Sequence, residues 1–294
     1  MLESRKGSLE AVADESVPLA FVKIFGNSAL RYRALRCVAC IIRYFFLQQY
    51  RAALLPGRIP VTAVDHPLDK KIPFVPIQIE TYIDFVSLWI RMLSFALKKL
   101  GRSALEPVGN FLESMGDLYI HAAGVYGAHL STTKRPFYLG RPRFIPIRVL
   151  DPHLMCVPSL HVMVVIRTYT WWRDLIGTLG AAGTYGAQAE ELRQDALAIT
   201  EAVLYVKQHS VNCIPAAMYA MSRFEPRLFP PEEAEAFCSD LFTNTECPRG
   251  EDSEEIRRHI LGLYRRFIQE GPSSDDWRAP LLRFLEEEAT KPPL

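Results

Sequence analysis

Apolar residues recur with helical spacing along most of the chain, and the alternation that predicts β-strands is almost absent. The apolar stretch from Leu19 to Leu55 is too dense for a single face, which predicts a buried helix or a kinked pair of helices that ends at Pro56-Gly57. Further helices are predicted over residues 77–100, 104–130, 159–180, 187–206 and 210–224. The pattern therefore predicts an all-α fold, a helical bundle of about six core helices.

The chain divides into three parts by composition. Residues 1–16 are polar and predict a loose leader, residues 17–225 carry the core helices, and residues 226–294 predict a small C-terminal helical appendage. In the appendage, Ser253 is the predicted cap of an amphipathic helix. The appendage helices have three possible roles: packing on the core, pairing with a partner or lying on a membrane surface. Their mixed charges favour packing on the core.

Composition narrows the class of protein. The 294 residues are 49% hydrophobic, which suffices for a core and excludes disorder for most of the chain. A net charge of +1 removes the usual electrostatic case for a nucleic-acid partner. The first residues lack an apolar run of signal-peptide length, and the six scattered cysteines suggest reduced thiols. Charged residues interrupt every apolar stretch, which favours a cytoplasmic protein, soluble or peripheral to the membrane, over an integral inner-membrane protein.

Three polar clusters interrupt the helical pattern. The first is a proline-stiffened loop with Lys134, Arg135 and Arg141, whose cations suit an anion, although a solvated basic turn has the same composition.

The second cluster is Pro158-Ser159-Leu160-His161, where a loop enters an apolar helix. Free N–H groups at a helix start favour anions, and His161 is suited to proton transfer near neutral pH. The third cluster, Lys207-Gln208-His209, lies between two apolar stretches. As alternatives, His161 is an ordinary cap residue and the third cluster is a polar loop.

The order of these clusters resembles the type 2 phosphatidic acid phosphatase and vanadium haloperoxidase superfamily. Pro-Ser-Leu-His and Lys-Gln-His are spellings similar to those of its inositol-phosphorylceramide-synthase-like branch, as is the segment Leu68–Pro76. The resemblance covers about residues 60–224. It implies a metal-independent phosphatase or phosphotransferase that acts on a phosphomonoester or a lipid-phosphate-like substrate.

The resemblance also implies roles for individual residues. Lys134 and Arg141 would clamp the phosphate, and Ser159 with neighbouring backbone N–H groups, such as that of Leu160, would complete the cradle. His161 would protonate the leaving alcohol and later activate water.

By the same resemblance, His209 would be the nucleophile that forms a phosphohistidine intermediate. No cofactor is required, and vanadate is expected to act as an inhibitor or phosphate analogue. The implied partner is a phosphorylated small molecule or a lipid head group, with a membrane surface as a further possible partner.

The third cluster departs from the superfamily pattern at two places. An Arg and an Asp are usual where this chain has Val203 and Cys213. Lys207 is a candidate substitute for the Arg, but a buried thiol does not replace a carboxylate that orients the imidazole of His209. Two alternatives therefore remain: a catalytically degenerate relative that binds a phosphate ligand or serves as a scaffold, and a purely structural helical protein in which the matches are coincidence.

Overall fold

Helices form most of the chain in a computed structural model, which describes residues 10–245, 247–271 and 275–292. The helices are α1 (Val17–Gly26), α2 (Ser28–Ile41), α3 (Gln48–Leu54), α4 (Ile79–Leu100), α5 (Leu105–Tyr126), α6 (Phe144–Leu150), α7 (Leu160–Thr178), α8 (Ala182–Tyr205), α9 (Cys213–Phe224), α10 (Pro231–Asp240), α11 (Glu251–Glu270) and α12 (Ala279–Ala289). The predicted all-α class is confirmed. No described helix combines the length and the apolar content that crossing a lipid bilayer demands.

The helix α7 forms the centre of the core. It contacts α4, α5, α8 and α9, and most of its side chains are buried, including the fully buried Trp172. A helix that is apolar on every side is stable only when neighbours surround it. The N-terminal end of α7 carries the residues of the second sequence cluster, so the bundle itself fixes their position.

The N-terminal apolar stretch forms two helices with a break at Asn27, whose side chain accepts a hydrogen bond from the Ala29 N–H at 2.9 Å. From Ser28 the chain then stays helical to Leu54, through a π-helical turn at Ile42–Leu47 that joins α2 to α3. The inner face of α2 packs on α5 through residues such as Leu30 and Cys37. Its outer face is apolar as well, which explains why the apolar positions are too dense for one face.

A two-stranded parallel sheet was not predicted. The strands β1 (Val61–Ala63) and β2 (Leu130–Thr132) pair in register, and Ser131 also bridges to Met155. Three residues are too few to show a period of two in the sequence. The sheet holds the chain after Thr132 against the segment that leads into α7.

The short helix α6 also escaped prediction. It lies inside the segment 134–152, where the prolines at 142 and 146 favour an irregular connector. It carries Arg148 towards the core.

The appendage packs on the core, as its charges suggested. The Tyr219 hydroxyl donates to the Trp277 carbonyl at 2.8 Å, and the hydroxyls of Ser222 and Tyr264 lie 2.9 Å apart. The predicted cap at Ser253 is wrong, because α11 begins at Glu251 and the Ser253 hydroxyl donates to the Gly250 carbonyl from within the first turn.

The predicted leader is described only from residue 10 onwards, and its residues 1–9 lie outside the described residues. The described part is packed: Val12 is buried, and the Glu15 carboxylate accepts a hydrogen bond from Ser94 on α4.

Candidate active site

Two histidines and a serine from separate parts of the chain meet at the start of α7. His209 Nε2 lies 3.2 Å from Ser159 Oγ and 3.2 Å from His161 Nδ1. Ser159 is the residue that precedes α7, and His161 lies in its first turn. The structure thus brings the second and third sequence clusters together, although 48 residues separate the two histidines.

Two hydrogen bonds hold the loop before α7. The Tyr126 hydroxyl donates to the Pro158 carbonyl at 2.5 Å, and the Val157 N–H donates to Ser131 Oγ at 2.8 Å. Ser159 is fully buried, and its hydroxyl is directed at His209 rather than at the N–H groups of α7. The N–H groups at the start of α7 are therefore not capped by this side chain.

Aromatic rings enclose His161. The ring centroids of Tyr82 and Phe85 on α4 lie 4.7 Å and 4.4 Å from that of His161. They exclude water from one side of the imidazole. Burial lowers the pKa of His161 to about 4, and burial together with the nearby His161 lowers the pKa of His209 well below its ordinary value. Both rings are neutral at pH 7, so a ring nitrogen of His209 carries a lone pair.

Arginine, aspartate and glutamine surround the histidines. Arg135 Nη1 lies 3.3 Å from Asp151 Oδ2 and donates to Gln208 Oε1 at 3.3 Å. Burial raises the pKa of Asp151, but hydrogen bonds from His153 and the charge of Arg135 outweigh it and bring the value to about 2. Asp151 is therefore a carboxylate at pH 7, and it fixes the Arg135 guanidinium beside the third cluster.

Arg148 is a second, poorly satisfied cation beside Arg135. Its Nη2 donates to the Val206 carbonyl at 3.5 Å, whereas its Nε and Nη1 are buried and have no hydrogen-bond partner among the described residues. Burial and the charge of Arg135 lower the pKa of Arg148 to about 10, so it stays charged at pH 7. Buried guanidinium nitrogens without acceptors are costly unless a ligand supplies the acceptor. An anion would satisfy them.

A cavity of about 470 Å³ reaches the two histidines, Asp151 and Gln208, whereas Arg135 and Arg148 lie behind its lining. Its walls are mainly aromatic and aliphatic, with Phe45, Phe46, Phe85, Trp89 and Tyr119 among them. His161, His209, Asp151 and Gln208 also line it. A cavity with apolar walls and a few polar groups suits a ligand with an apolar body and one polar group.

The structure does not bring the predicted phosphate clamp to this cavity. Lys134 is exposed and lines a different cleft, beside Glu288 and Lys291 of the appendage. The Arg141 side chain has no hydrogen bond or ion pair among the described residues and does not line the cavity.

Lys207 is likewise occupied elsewhere. Its Nζ donates to the carbonyls of Asp69 and Ile72, at 2.6 Å and 2.5 Å, which ties the third cluster to the short 3₁₀ helix Pro67–Lys71. Its position supports a structural role. Of the predicted binding residues, Ser159 and Leu160 lie at the site, and Leu160 lines the cavity.

The two departures in the third cluster lie at buried positions. Val203 and Cys213 are fully buried, and burial raises the pKa of the Cys213 thiol well above its ordinary value, so it stays protonated. His209 Nδ1 is buried and makes no hydrogen bond of good geometry among the described residues, although the Cys156 backbone acts to raise the pKa of this ring. Among the described residues, no carboxylate forms a hydrogen bond with His209.

Several residues of the site were missed by the sequence analysis. Tyr82, Arg148, Asp151 and His153 all belong to the cluster around the two histidines. His153 has φ 58°, and its Nε2 lies 2.8 Å from the Thr133 hydroxyl. One feature of the sequence could have indicated Asp151 and His153, because Asp151-Pro152-His153 lies just upstream of the second cluster.

No three side chains of His, Cys, Asp or Glu within the described ranges are grouped as a metal site requires. Comparisons with protein-family models, with curated proteins and with solved structures found no match to this chain.

Proposed function

We propose that the protein is a phosphatase or phosphotransferase that acts on a phosphomonoester with an apolar, lipid-like alcohol, through a phosphohistidine at His209. The observation that carries the proposal is the position of His209 Nε2, 3.2 Å from both Ser159 Oγ and His161 Nδ1, on an apolar cavity. A nucleophile, a proton donor and a hydroxyl at hydrogen-bonding distance are the parts that group transfer through a covalent intermediate needs.

The charges around the cavity support a phosphate ligand. Arg135 and Arg148 bring two guanidinium groups close enough to repel each other, and Arg148 has buried nitrogens without acceptors. A phosphate dianion would relieve that repulsion and accept those hydrogen bonds. We therefore assign the clamp to Arg135 and Arg148 in place of Lys134 and Arg141.

The reaction then follows in two balanced steps. In the first, the neutral His209 nitrogen attacks phosphorus, the bond to the alcohol oxygen breaks, and protonated His161 gives its proton to that oxygen. In the second, His161 takes a proton from water, the water oxygen attacks phosphorus, and the bond to His209 breaks. With a second alcohol in place of water, the same steps give phosphoryl transfer.

Ligand binding must rearrange two features of the site. The histidine nitrogens lie 3.2 Å apart, which leaves no room for a phosphoryl group between them, so one ring must rotate. His161, which lines the cavity, is the ring that we expect to move. A bound dianion also raises the pKa of His161 from about 4, because a nearby negative charge favours the imidazolium. Binding of the ligand therefore favours protonated His161, the form that donates the proton.

Hydrolysis of phosphomonoesters by the purified chain tests the proposal. We expect His209→Ala to reduce the rate to background. His121→Gln, which changes a histidine that stacks on Trp277 outside the cavity, should retain the rate. Hydrolysis by folded His209→Ala at the wild-type rate would refute the proposal.

The second candidate function is that of a degenerate relative which binds a phosphate ligand without turning it over. Two features favour it: His209 Nδ1 makes no hydrogen bond of good geometry among the described residues, and Cys213 is protonated. A poorly oriented imidazole is a poor nucleophile. Cys213→Asp separates the two functions, because it returns a carboxylate to the third cluster. A large gain in turnover by folded Cys213→Asp supports the enzyme, whereas phosphate binding without turnover in both proteins supports the binding protein.

A further inference from the structure

The outer face of the N-terminal helical segment is exposed and apolar. Along α2, the π-helical turn and α3, large apolar side chains recur every three or four residues on the side that faces away from α5. They are Tyr32, Leu35, Val38, Ile42, Phe46, Leu47, Tyr50 and Leu54. Tyr32 and Leu54 keep 75% and 78% of their surface exposed. At 1.5 Å per residue, this stripe runs for roughly 35 Å.

A second exposed apolar segment lies across the cavity from the stripe. It consists of Phe137, which is 92% exposed, with Leu139, Ile145 and Val149. The two segments meet at the cavity, because Phe46 and Tyr50 from one and Pro146 and Ile147 from the other line it. We call these two exposed segments together the cavity rim. Exposed apolar surface this extensive marks a docking surface.

The charges of the cavity rim are almost all positive. Residues 16–64 contain seven Lys and Arg residues and no Asp or Glu, and residues 134–150 contain five cations and again no acid. Acids neutralise several of these cations: Lys23 pairs with Glu15, Arg33 and Arg36 pair with acids of α5, Arg135 pairs with Asp151, and Arg143 pairs with Glu80.

Three arginines in and around α3 form no ion pair among the described residues. Arg43, Arg51 and Arg58 line a surface cleft of about 890 Å³ beside the stripe. Arg51 and Arg58 are exposed, and neither forms an ion pair among the described residues. Cations next to exposed apolar side chains are the arrangement that places helices at an anionic lipid interface.

We propose that the cavity rim docks on the surface of an anionic lipid bilayer, with its apolar side chains at the acyl boundary and Arg43, Arg51 and Arg58 among the head groups. The cations Arg43, Arg51 and Arg58, which form no ion pair among the described residues, select a lipid surface over a second copy of this chain, because two copies would bring like charges together. Docking in this orientation directs the open cavity at the bilayer. The inference rests on this surface and not on the proposed chemistry.

Co-sedimentation of the full chain with vesicles tests the inference. We expect tighter binding to vesicles of phosphatidylcholine with phosphatidylserine than to phosphatidylcholine alone, and weaker binding as salt is added. Arg51→Gln with Arg58→Gln should weaken binding by about 25-fold, at roughly fivefold for each arginine near an anionic surface. The matched control is Arg102→Gln with Arg258→Gln, two exposed arginines outside the cavity rim, which should bind like wild type.

A second pair of variants tests the contribution of the apolar side chains to vesicle binding. Leu54→Gln should weaken binding by about tenfold, the order expected for one buried leucine. Leu179→Gln, at the opposite end of α7 from His161, should not. Circular dichroism melting curves establish that each variant is folded.

Three results would refute the proposed docking surface: no binding to either kind of vesicle, an equal loss of vesicle binding in the control variants, or self-association that only the rim variants abolish. Hydrolysis of a water-soluble phosphomonoester needs no membrane. Vesicle binding and activity therefore fail separately, and each failure identifies which proposal is wrong.

Discussion

Buried neutral histidines make the stability of this protein sensitive to acid. His161 is the group for which the effect is easiest to work out, because burial lowers its pKa to about 4 in the folded chain, against about 6.5 when unfolded. A group whose folded pKa is lowered contributes stability that is complete above the unfolded pKa. That stability is lost as the pH falls through the window down to the folded pKa.

The magnitude follows from the two values. At pH 5 the unfolded imidazole is almost fully protonated while the folded one is almost fully neutral, so His161 alone costs about 2 kcal/mol of unfolding free energy relative to pH 7. His121 and His259 have similarly lowered pKa values of about 4 and add to the total loss. The contribution of His161 is therefore measured as the difference in unfolding free energy between wild type and a variant that lacks this histidine.

The assay is urea unfolding of wild type and His161→Gln at pH 8, 7, 6 and 5. Wild type should lose about 2 kcal/mol more than the variant between pH 7 and pH 5, and the difference between the proteins should be constant from pH 7 to pH 8. Identical losses in the two proteins would mean that His161 is hydrated and not enclosed by Tyr82 and Phe85. The reasoning about the site would then be refuted.

Three further predictions concern the site and its support. Arg135→Gln should lower kcat/KM by about a hundredfold, the usual effect of losing one electrostatic stabiliser. Lys134→Gln, at the exposed neighbouring position, should change kcat/KM by no more than about twofold. Equal effects would contradict the assignment of the clamp. Tyr126→Phe should lower the free energy of unfolding in urea by about 1–3 kcal/mol, because it leaves the buried Pro158 carbonyl without its donor, and an unchanged value would show that the bond is not needed. Hydrolysis of phosphomonoesters of straight-chain alcohols should gain about fourfold in kcat/KM for each added methylene until the cavity is filled. A flat dependence would show that the cavity does not take the alcohol.

Periodicity was sufficient to predict the helices, because their apolar faces are long enough to display it. The meeting of Ser159, His161 and His209 followed from a resemblance in motif order, since no pattern within a single helix relates residues so far apart. The short elements could not be predicted from the sequence. The sheet β1–β2 is too short for alternation, and the prolines around α6 are more typical of a connector than of a helix.

The position of Lys134 away from the cavity has a local physical cause. Lys134 and Arg135 are adjacent, yet Lys134 lines the cleft beside the appendage, whereas Arg135 forms an ion pair with Asp151. Without the sheet, the sequence cannot tell which of the two faces inward. The contacts of Lys207 could not be predicted for a related reason. Its acceptors are backbone carbonyls of a remote segment, and the pattern of side chains along the sequence does not indicate them.

The central claim is that His209 and its neighbours form a site for a phosphoryl group, and vanadate binding tests it most directly. Trp89 lines the cavity, so its fluorescence should report the ligand, and calorimetry provides a second readout. We predict saturable binding of orthovanadate by wild type, strongly reduced binding by Arg135→Gln, and none by folded His209→Ala. Equal binding by wild type and His209→Ala, or no binding by folded wild type, would contradict the claim.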